Sequence, residues 1–284
     1  MVGETGADER RGTVRVLVIQ PGIAATPQEA YQRVRRLALE KRGERPDLAI
    51  LPERWLPFLA GEDPAKNLEA EGGQTLEFVK NLAEELGCWV VSGGIWERRE
   101  GADKPFVTAY ACDDKGRVVG RQDKIHPYAH ERGVFESGKE LVVFRSEKVA
   151  FAVLICFDLT FWETPRLAVE SGADLVLSPT MIREEGMHNW RVYLQARALE
   201  NRVPVVGCNV LGRWMGRRFT GESMVVQFRR QARLSPSRLS CTRLEKNAVD
   251  ARVVTVDVAF ARKIRGSRLG EVVDKSSIRV VTAD

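Results

Sequence analysis

The chain has 284 residues, of which 44% are hydrophobic and 29% charged, and its formal net charge is +5. That balance excludes a mainly disordered, collagen-like or coiled-coil protein, and the length permits a deep core without covalent staples. At roughly 150 residues per domain the length allows two domains, although α/β layers of this size also form one.

In chain order, residues 1–12 are polar and charged and lack an apolar h-region, which predicts a flexible tail rather than a signal peptide. Val14–Gln20 is β-branched, apolar and stopped by Pro21-Gly22, the pattern of a buried strand. Pro27–Arg42 has helical periodicity, with Ala30, Val34, Leu37 and Ala38 on one side. Leu48–Leu51 is a second short strand, ended by Pro52. A helix over Gln74–Leu86 closes on Gly87, a usual residue just past a helix end, and Cys88–Ile95 returns to strand. Val107–Cys112 and Arg117–Gln122 form a hairpin around Asp114-Lys115-Gly116. Val142–Arg145 and Val149–Ile155 are further strands. After Cys156 come a helix over Trp162–Ser171, a strand over Asp174–Ser178 and a helix over Met187–Arg202. Strands follow at Val203–Cys208, Glu222–Phe228 and Val253–Val258, and the C-terminal segment is basic and weakly patterned.

Strands alternating with helices, with hairpins between, indicate an α/β protein with mixed sheets. No fixed-period repeat or Pro/Ser-rich joint interrupts the pattern, so one domain over 13–284 is expected. The longest apolar run, Val149–Phe157, is far below the roughly 20 residues that span a bilayer. A soluble, cytoplasmic protein without a membrane partner is expected.

The five cysteines, Cys88, Cys112, Cys156, Cys208 and Cys241, are odd in number and form no C-x-x-C, which argues against a disulfide framework and a zinc cluster. His126, His130 and His188 are the three histidines, and none lies in an H-E-x-x-H pattern. No metal or cofactor is therefore expected.

Three segments place a chemically capable side chain just after a predicted strand. In Val149–Glu163 an apolar strand runs into Cys156 and then a turn leading to a helix. Backbone N–H groups there can lower a thiol pKa and hold an oxyanion. A buried core cysteine is the ordinary alternative. Lys124 follows the second hairpin strand and is either a solvated charge or a cation for a tetrahedral intermediate. Glu53 follows Leu48–Leu51 and is either an exposed loop carboxylate or a partly buried general base. Glu, Lys and Cys together are the parts needed to attack an amide or nitrile carbon through a thioester.

On these residues the sequence resembles the nitrilase superfamily of carbon–nitrogen hydrolases. The resemblance runs from about Val14 to Val258 through ordered blocks. Leu51-Pro-Glu53 matches the first block, and Gly73-Gln-Thr75 through Val91-Ser-Gly-Gly94 a second. Lys124-Ile-His126 with Glu131 and Phe135-Glu-Ser-Gly138 matches the lysine block. Cys156-Phe-Asp158, Phe161, Glu163, Arg166 and Gly172 through Pro179 match the cysteine block. Arg197–Asn201 and Phe219–Ser223 match later structural blocks.

The resemblance implies a four-layer α-β-β-α sandwich that pairs through one helical layer into at least a homodimer. It implies Cys156 as nucleophile and Glu53 as general base. Lys124 and the backbone N–H of Phe157 become the oxyanion donors, and Glu131 positions Lys124 or the substrate. Asp158, Glu163 and Arg166 are then structural. The implied reaction hydrolyses a small linear amide to an acid and ammonia, with a nitrile or an N-carbamoyl compound as the alternative substrate. The family often has Arg-Phe-Pro-Glu where this chain has Thr160-Phe161-Trp162-Glu163, which weakens the expectation of a carboxylate-bearing substrate. Trp162 either reshapes the pocket wall or packs on the buried face of its helix, the latter being the more ordinary case. Adjacency to the three blocks nominates Trp55, Tyr128, Trp162, Thr180 and Met181 as pocket walls.

A Cys–His hydrolase using His126 or His130 is a rival, but it leaves Glu53 and Lys124 without a role. A catalytically silent binding or scaffold protein on the same fold is a rival of another class, usually marked by loss of a triad residue. The stretch Arg229–Arg243 carries five arginines and no acid. It lacks interleaved aromatics, so a solvated hairpin or dimer contact is expected there rather than a nucleic-acid arm.

Overall fold

The computed structural model describes residues 12–57, 64–230 and 238–281; residues 1–11 of the tail predicted over 1–12 and the middle of the Arg229–Arg243 stretch lie outside them, while Gly12 is buried and its carbonyl accepts the Ala259 N–H at 2.9 Å. The first half supplies strands β1 (Thr13–Gln20), β2 (Leu48–Ile50), β3 (Glu69–Ala70), β4 (Trp89–Val91), β5 (Ile95–Arg98), β6 (Phe106–Cys112) and β7 (Val118–Asp123), with helices α1 (Pro27–Glu40) and α2 (Gln74–Leu86). The second half supplies β8 (Val143–Arg145), β9 (Ala150–Val153), β10 (Leu175–Thr180), β11 (Val205–Asn209), β12 (Leu211–Trp214), β13 (Arg217–Thr220), β14 (Met224–Phe228), β15 (Leu239–Arg243) and β16 (Asp250–Asp257), with helices α3 (Glu163–Glu170), α4 (Met187–Asn201) and α5 (Val258–Leu269).

One sheet has the order β16-β1-β2-β4-β6-β5-β3 with β7 on β6, and the other β15-β14-β11-β10-β9-β8. Strand alternation explains the layering. Val16 and Val18 of β1 face the second sheet, in a core shared with Phe151, Val153, Leu175, Leu177 and Val206. The intervening Leu17 and Ile19 face the other way, onto Val34, Leu37, Val79 and Leu82 of α1 and α2. On the far side, Val176, Val205 and Val226 pack under Trp190, Leu194 and Ala198 of α4 and Ala261 of α5. The layers thus read helix, sheet, sheet, helix. At the centre of each sheet the strands are parallel, β1-β2-β4 in one and β9-β10-β11 in the other. The carboxyl ends of parallel strands are where open α/β sheets gather ligands.

Three departures from the sequence reading have local causes. The strand expected over Cys88–Ile95 is two strands, because Ser92-Gly93-Gly94 turns the chain between β4 and β5. Gly93 has φ +75°, and a Cβ there would lie 1.9 Å from the Pro52 carbonyl oxygen. The segment read as a weakly patterned tail begins with α5, whose buried residues are Val258, Ala261 and Arg265. Its helical face is hidden in the sequence because one buried position is an arginine, which donates to the Ala173 carbonyl at 3.1 Å and pairs with Asp174. The hairpin β12–β13 turns through Met215 (φ +48°) and Gly216 (φ +70°) and has no apolar alternation to reveal it.

Gly93 makes a direct prediction, since its neighbour Pro52 precedes Glu53. Gly93→Ala is expected to destabilise the fold by more than Gly101→Ala, a control with φ +76° but nothing within 4 Å of the new Cβ. The control isolates the backbone conformation, worth on the order of 1–3 kcal/mol. Thermal unfolding of both variants measures the difference; equal losses would refute the close-approach reading.

Candidate active site

Glu53, Lys124 and Cys156 come from three loops and meet at one edge of the two sheets. Glu53 follows β2 through Leu51-Pro52. Its backbone N–H donates to the Thr180 carbonyl at 3.3 Å, and its carbonyl accepts from Gly94 N–H at 2.9 Å. Gly94 has no room for a side chain, since a Cβ would sit 2.8 Å from the Glu53 carbonyl oxygen. Lys124 follows β7, with its N–H on the Val107 carbonyl and its carbonyl accepting from Gly138 N–H, both at 2.8 Å.

The Lys124 side chain is only 1% exposed and Glu53 5%. Lys124 Nζ donates to Glu53 Oε1 at 2.7 Å and to Glu131 Oε2 at 2.7 Å. Glu131 Oε2 also accepts the Tyr128 backbone N–H at 2.7 Å, which closes the short turn over Ala129–Gly133. One buried cation thus sits between two carboxylates, each aimed by its own backbone.

Cys156 lies just beyond β9 at φ +48°, a left-handed conformation rare for a residue with a side chain and commonly found at functional sites. The residue is partly exposed. A 3₁₀ turn over Cys156–Thr160 follows, and α3 begins only at Glu163. The Phe157 N–H lies in the first turn of that segment.

Asp158 is wholly buried and ties the loops together. Its carboxylate accepts N–H groups from Ile155 (3.0 Å), Ile125 (3.3 Å) and His126 (2.7 Å). His126 Nδ1 also lies 3.0 Å from Asp158 Oδ1. Asp158 therefore joins the loop after Lys124 to the turn that carries Cys156. The sequence implies only a structural role for it, since a contact across 32 residues leaves no local pattern.

The titration tendencies of the three groups interlock. Burial raises the Glu53 carboxyl, Lys124 opposes that, and the nearby Glu131 charge adds to it, with a net rise. Burial disfavours the Lys124 ammonium, but Glu53, Cys156 and Glu131 outweigh this and hold it protonated far into alkali. Burial and then the Glu53 carboxylate push the Cys156 thiol well up, against the opposing pull of Lys124 and the Met181 backbone N–H. This corrects the expectation of a lowered thiol pKa. Ionisation of the thiol is disfavoured while the neighbouring Glu53 gains basicity, the combination that base-activated attack uses.

The nominated pocket walls divide. Trp55 is not a wall: its indole is 2% exposed, donates to the Ser92 carbonyl at 2.9 Å and packs against Tyr31 and Phe78 beneath the helices. The Thr180 side chain is also withdrawn, its hydroxyl donating to the Cys208 carbonyl at 3.1 Å, and it serves the site through its carbonyl on Glu53. Met181 is partly exposed and its N–H serves Cys156. Tyr128 and Trp162 are exposed, which rules out the packed-aromatic reading of Trp162. Asn209, wholly buried, was missed. It accepts the Ile182 N–H at 2.8 Å and so fixes the chain just past Met181.

Among the described residues no cluster of three or more His, Cys, Asp or Glu could hold a metal ion, and no helix is long and apolar enough to cross a membrane. On either side of residues 231–237, β14 pairs antiparallel with β15, Arg229 N–H donates to the Arg238 carbonyl at 2.9 Å, and Arg230 Nε reaches Asp257 at 2.5 Å.

The sequence profile of the carbon–nitrogen hydrolase family matches residues 15–233. A protein of Staphylococcus lugdunensis named hydrolase in agr operon is 31% identical over 184 residues, covering 63% of this chain and 78% of that protein. The human deaminated glutathione amidase is 30% identical over 226 residues, covering 72% of this chain and 68% of the amidase. In fold, the chain is similar to a crystal structure of a carbon–nitrogen hydrolase superfamily protein from Xanthomonas campestris. The TM-score is 0.79 at 21% identity, covering 95% of this chain and 99% of that one.

Proposed function

The chain belongs to the carbon–nitrogen hydrolase family, and from that premise we propose that it hydrolyses a small linear amide to an acid and ammonia through a thioester on Cys156. The observation that carries this reading is the buried Lys124 ammonium, 2.7 Å from Glu53 and 2.7 Å from Glu131, beside a thiol whose proton Glu53 can take. Similarity to a protein named as an amidase supports an amide as the substrate.

Glu53 removes the thiol proton as sulfur bonds to the carbonyl carbon. The oxyanion forms against Lys124 Nζ and the Phe157 N–H. Glu53 then returns the proton to the leaving nitrogen, the C–N bond breaks, and ammonia departs from a neutral thioester. Water attacks next, giving a proton to Glu53. The C–S bond breaks as the acid leaves, and Glu53 returns its proton to the sulfur. One water is consumed per amide, and the enzyme is restored. Glu131 acts as a positioning residue that holds Lys124 from the far side.

We read residues 13–284 as one hydrolase domain, since both sheets share a single core. A homodimer through the α3–α4 layer is supported by the exposed Leu167, Val192 and Leu199, of which Val192 and Leu199 lie seven residues apart on one helical face. Native and denaturing intact mass after incubation with an amide and nitrile panel tests both readings. The expected result is a dimer whose Cys156 carries an acyl group, with release of ammonia. A protein without adduct or ammonia across the panel would leave the silent binding protein as the reading.

A further inference from the structure

We infer that the acyl group of the substrate is uncharged and apolar, recognised by an aromatic wall of Tyr128, Phe157 and Phe161; this rests on the amide-hydrolase reading above. The wall is built from the same two loops that carry Lys124 and Cys156. Phe157 directly follows Cys156. The Tyr128 ring meets Phe157 edge to face at 5.0 Å, and Phe157 meets Phe161 in the same way at 5.0 Å. Phe161 in turn stacks on His126 at 4.0 Å. The Tyr128 backbone is bound to Glu131, which holds Lys124. Tyr128 is exposed, and Phe157 and Phe161 are partly exposed, so the wall keeps free surface beside the nucleophile instead of closing into the core.

The buried ionic groups of this neighbourhood face one another. Lys124 spans Glu53 and Glu131, and Asp158 takes backbone N–H groups and His126. Two arginines packed near the Cys156 turn are bound to protein groups. Arg197 donates to the Leu159 carbonyl at 3.0 Å and to Glu200 at 2.9 Å, and Arg166 donates to the Glu200 carbonyl at 3.2 Å. A substrate carboxylate against this wall would give up hydration to aromatic surface that cannot pair with it. An apolar acyl group gains the burial.

The test compares kcat/KM for acetamide, phenylacetamide and succinamate with the full chain. Phenylacetamide is expected to exceed succinamate by at least about tenfold, the scale on which apolar pockets discriminate. Tyr128→Ala is expected to lower the phenylacetamide-to-acetamide ratio about tenfold, and Phe157→Leu to lower it in the same direction. The wild-type ranking stands even if a variant fails to fold. Succinamate hydrolysed as well as phenylacetamide, or an unchanged ratio in a folded Tyr128→Ala protein, overturns the inference and leaves the hydrolase reading intact. No turnover of any amide overturns the hydrolase reading, and this inference with it.

Discussion

Lys124→Met is expected to lower kcat/KM for the best amide by at least about 10²–10³, the usual cost of losing one oxyanion donor. The loss acts twice. On the proposed mechanism Lys124 Nζ is a donor to the developing oxyanion, and it is also the cation that opposes the effect of burial on Glu53. Glu53 and Glu131 both reach it at 2.7 Å. Without it, burial and the nearby Glu131 charge raise the Glu53 carboxyl further, so Glu53 takes up a proton more readily and is less available as a base. Leaving buried charges without their partner also destabilises the fold, typically by about 3–5 kcal/mol. Proton uptake by one carboxylate relieves part of that. The acid limb of any residual activity should therefore move to higher pH than in the wild type. Steady-state ammonia release across pH, with a thermal melt to confirm folding, measures all three effects. A folded variant retaining more than a tenth of wild-type activity would sink the assigned role of Lys124.

The sequence revealed much of this site because two of its three groups, Glu53 and Cys156, follow strands with a strong apolar signature. Leu48–Leu51 precedes Glu53, and Val149–Ile155 precedes Cys156; buried parallel strands read as continuous apolar runs. What stayed hidden depends on contacts far apart in sequence. Asp158 reaches Ile125 and His126 across more than thirty residues. The turn at Gly93 exists because the Pro52 carbonyl passes beneath it. Trp55 looked like a pocket wall by adjacency to Glu53. Two residues along an irregular loop suffice to point it into the helix–sheet core, where its indole N–H finds the Ser92 carbonyl. The helix α5 was obscured because its burial depends on Arg265, and a charged residue inside is legible only once Asp174 is seen beside it. There burial opposes ionisation, but Arg262 and Arg265 outweigh it and hold the Asp174 carboxyl below its usual range.

Glu53→Gln separates base catalysis from every other explanation of the site. Glutamine matches glutamate in size and can still accept from Lys124 Nζ, so the loop after β2 should keep its place. It cannot take the thiol proton. Amide turnover is expected to fall by about 10²–10⁴, the range for loss of a positioned general base. The Cys156 thiol should respond in the opposite sense. In the wild type the Glu53 carboxylate pushes the thiol up while Lys124 pulls it down. Removing the carboxylate leaves only burial to oppose the ammonium, so the thiol of the variant should titrate at lower pH than in the wild type. Alkylation of Cys156 by iodoacetamide, followed across pH by intact mass, should then have its midpoint shifted toward neutrality while hydrolysis is nearly lost. A collapsed site would lose both reactivities, and a spectator Glu53 would change neither. The Cys–His alternative makes the contrary demand, that His126 and His130 carry the proton. His126 is stacked on Phe161 and bound to Asp158, and His130 is exposed beside Tyr128. A His126→Asn/His130→Asn protein should therefore keep far more activity than Glu53→Gln, and the reverse order would transfer the base to histidine.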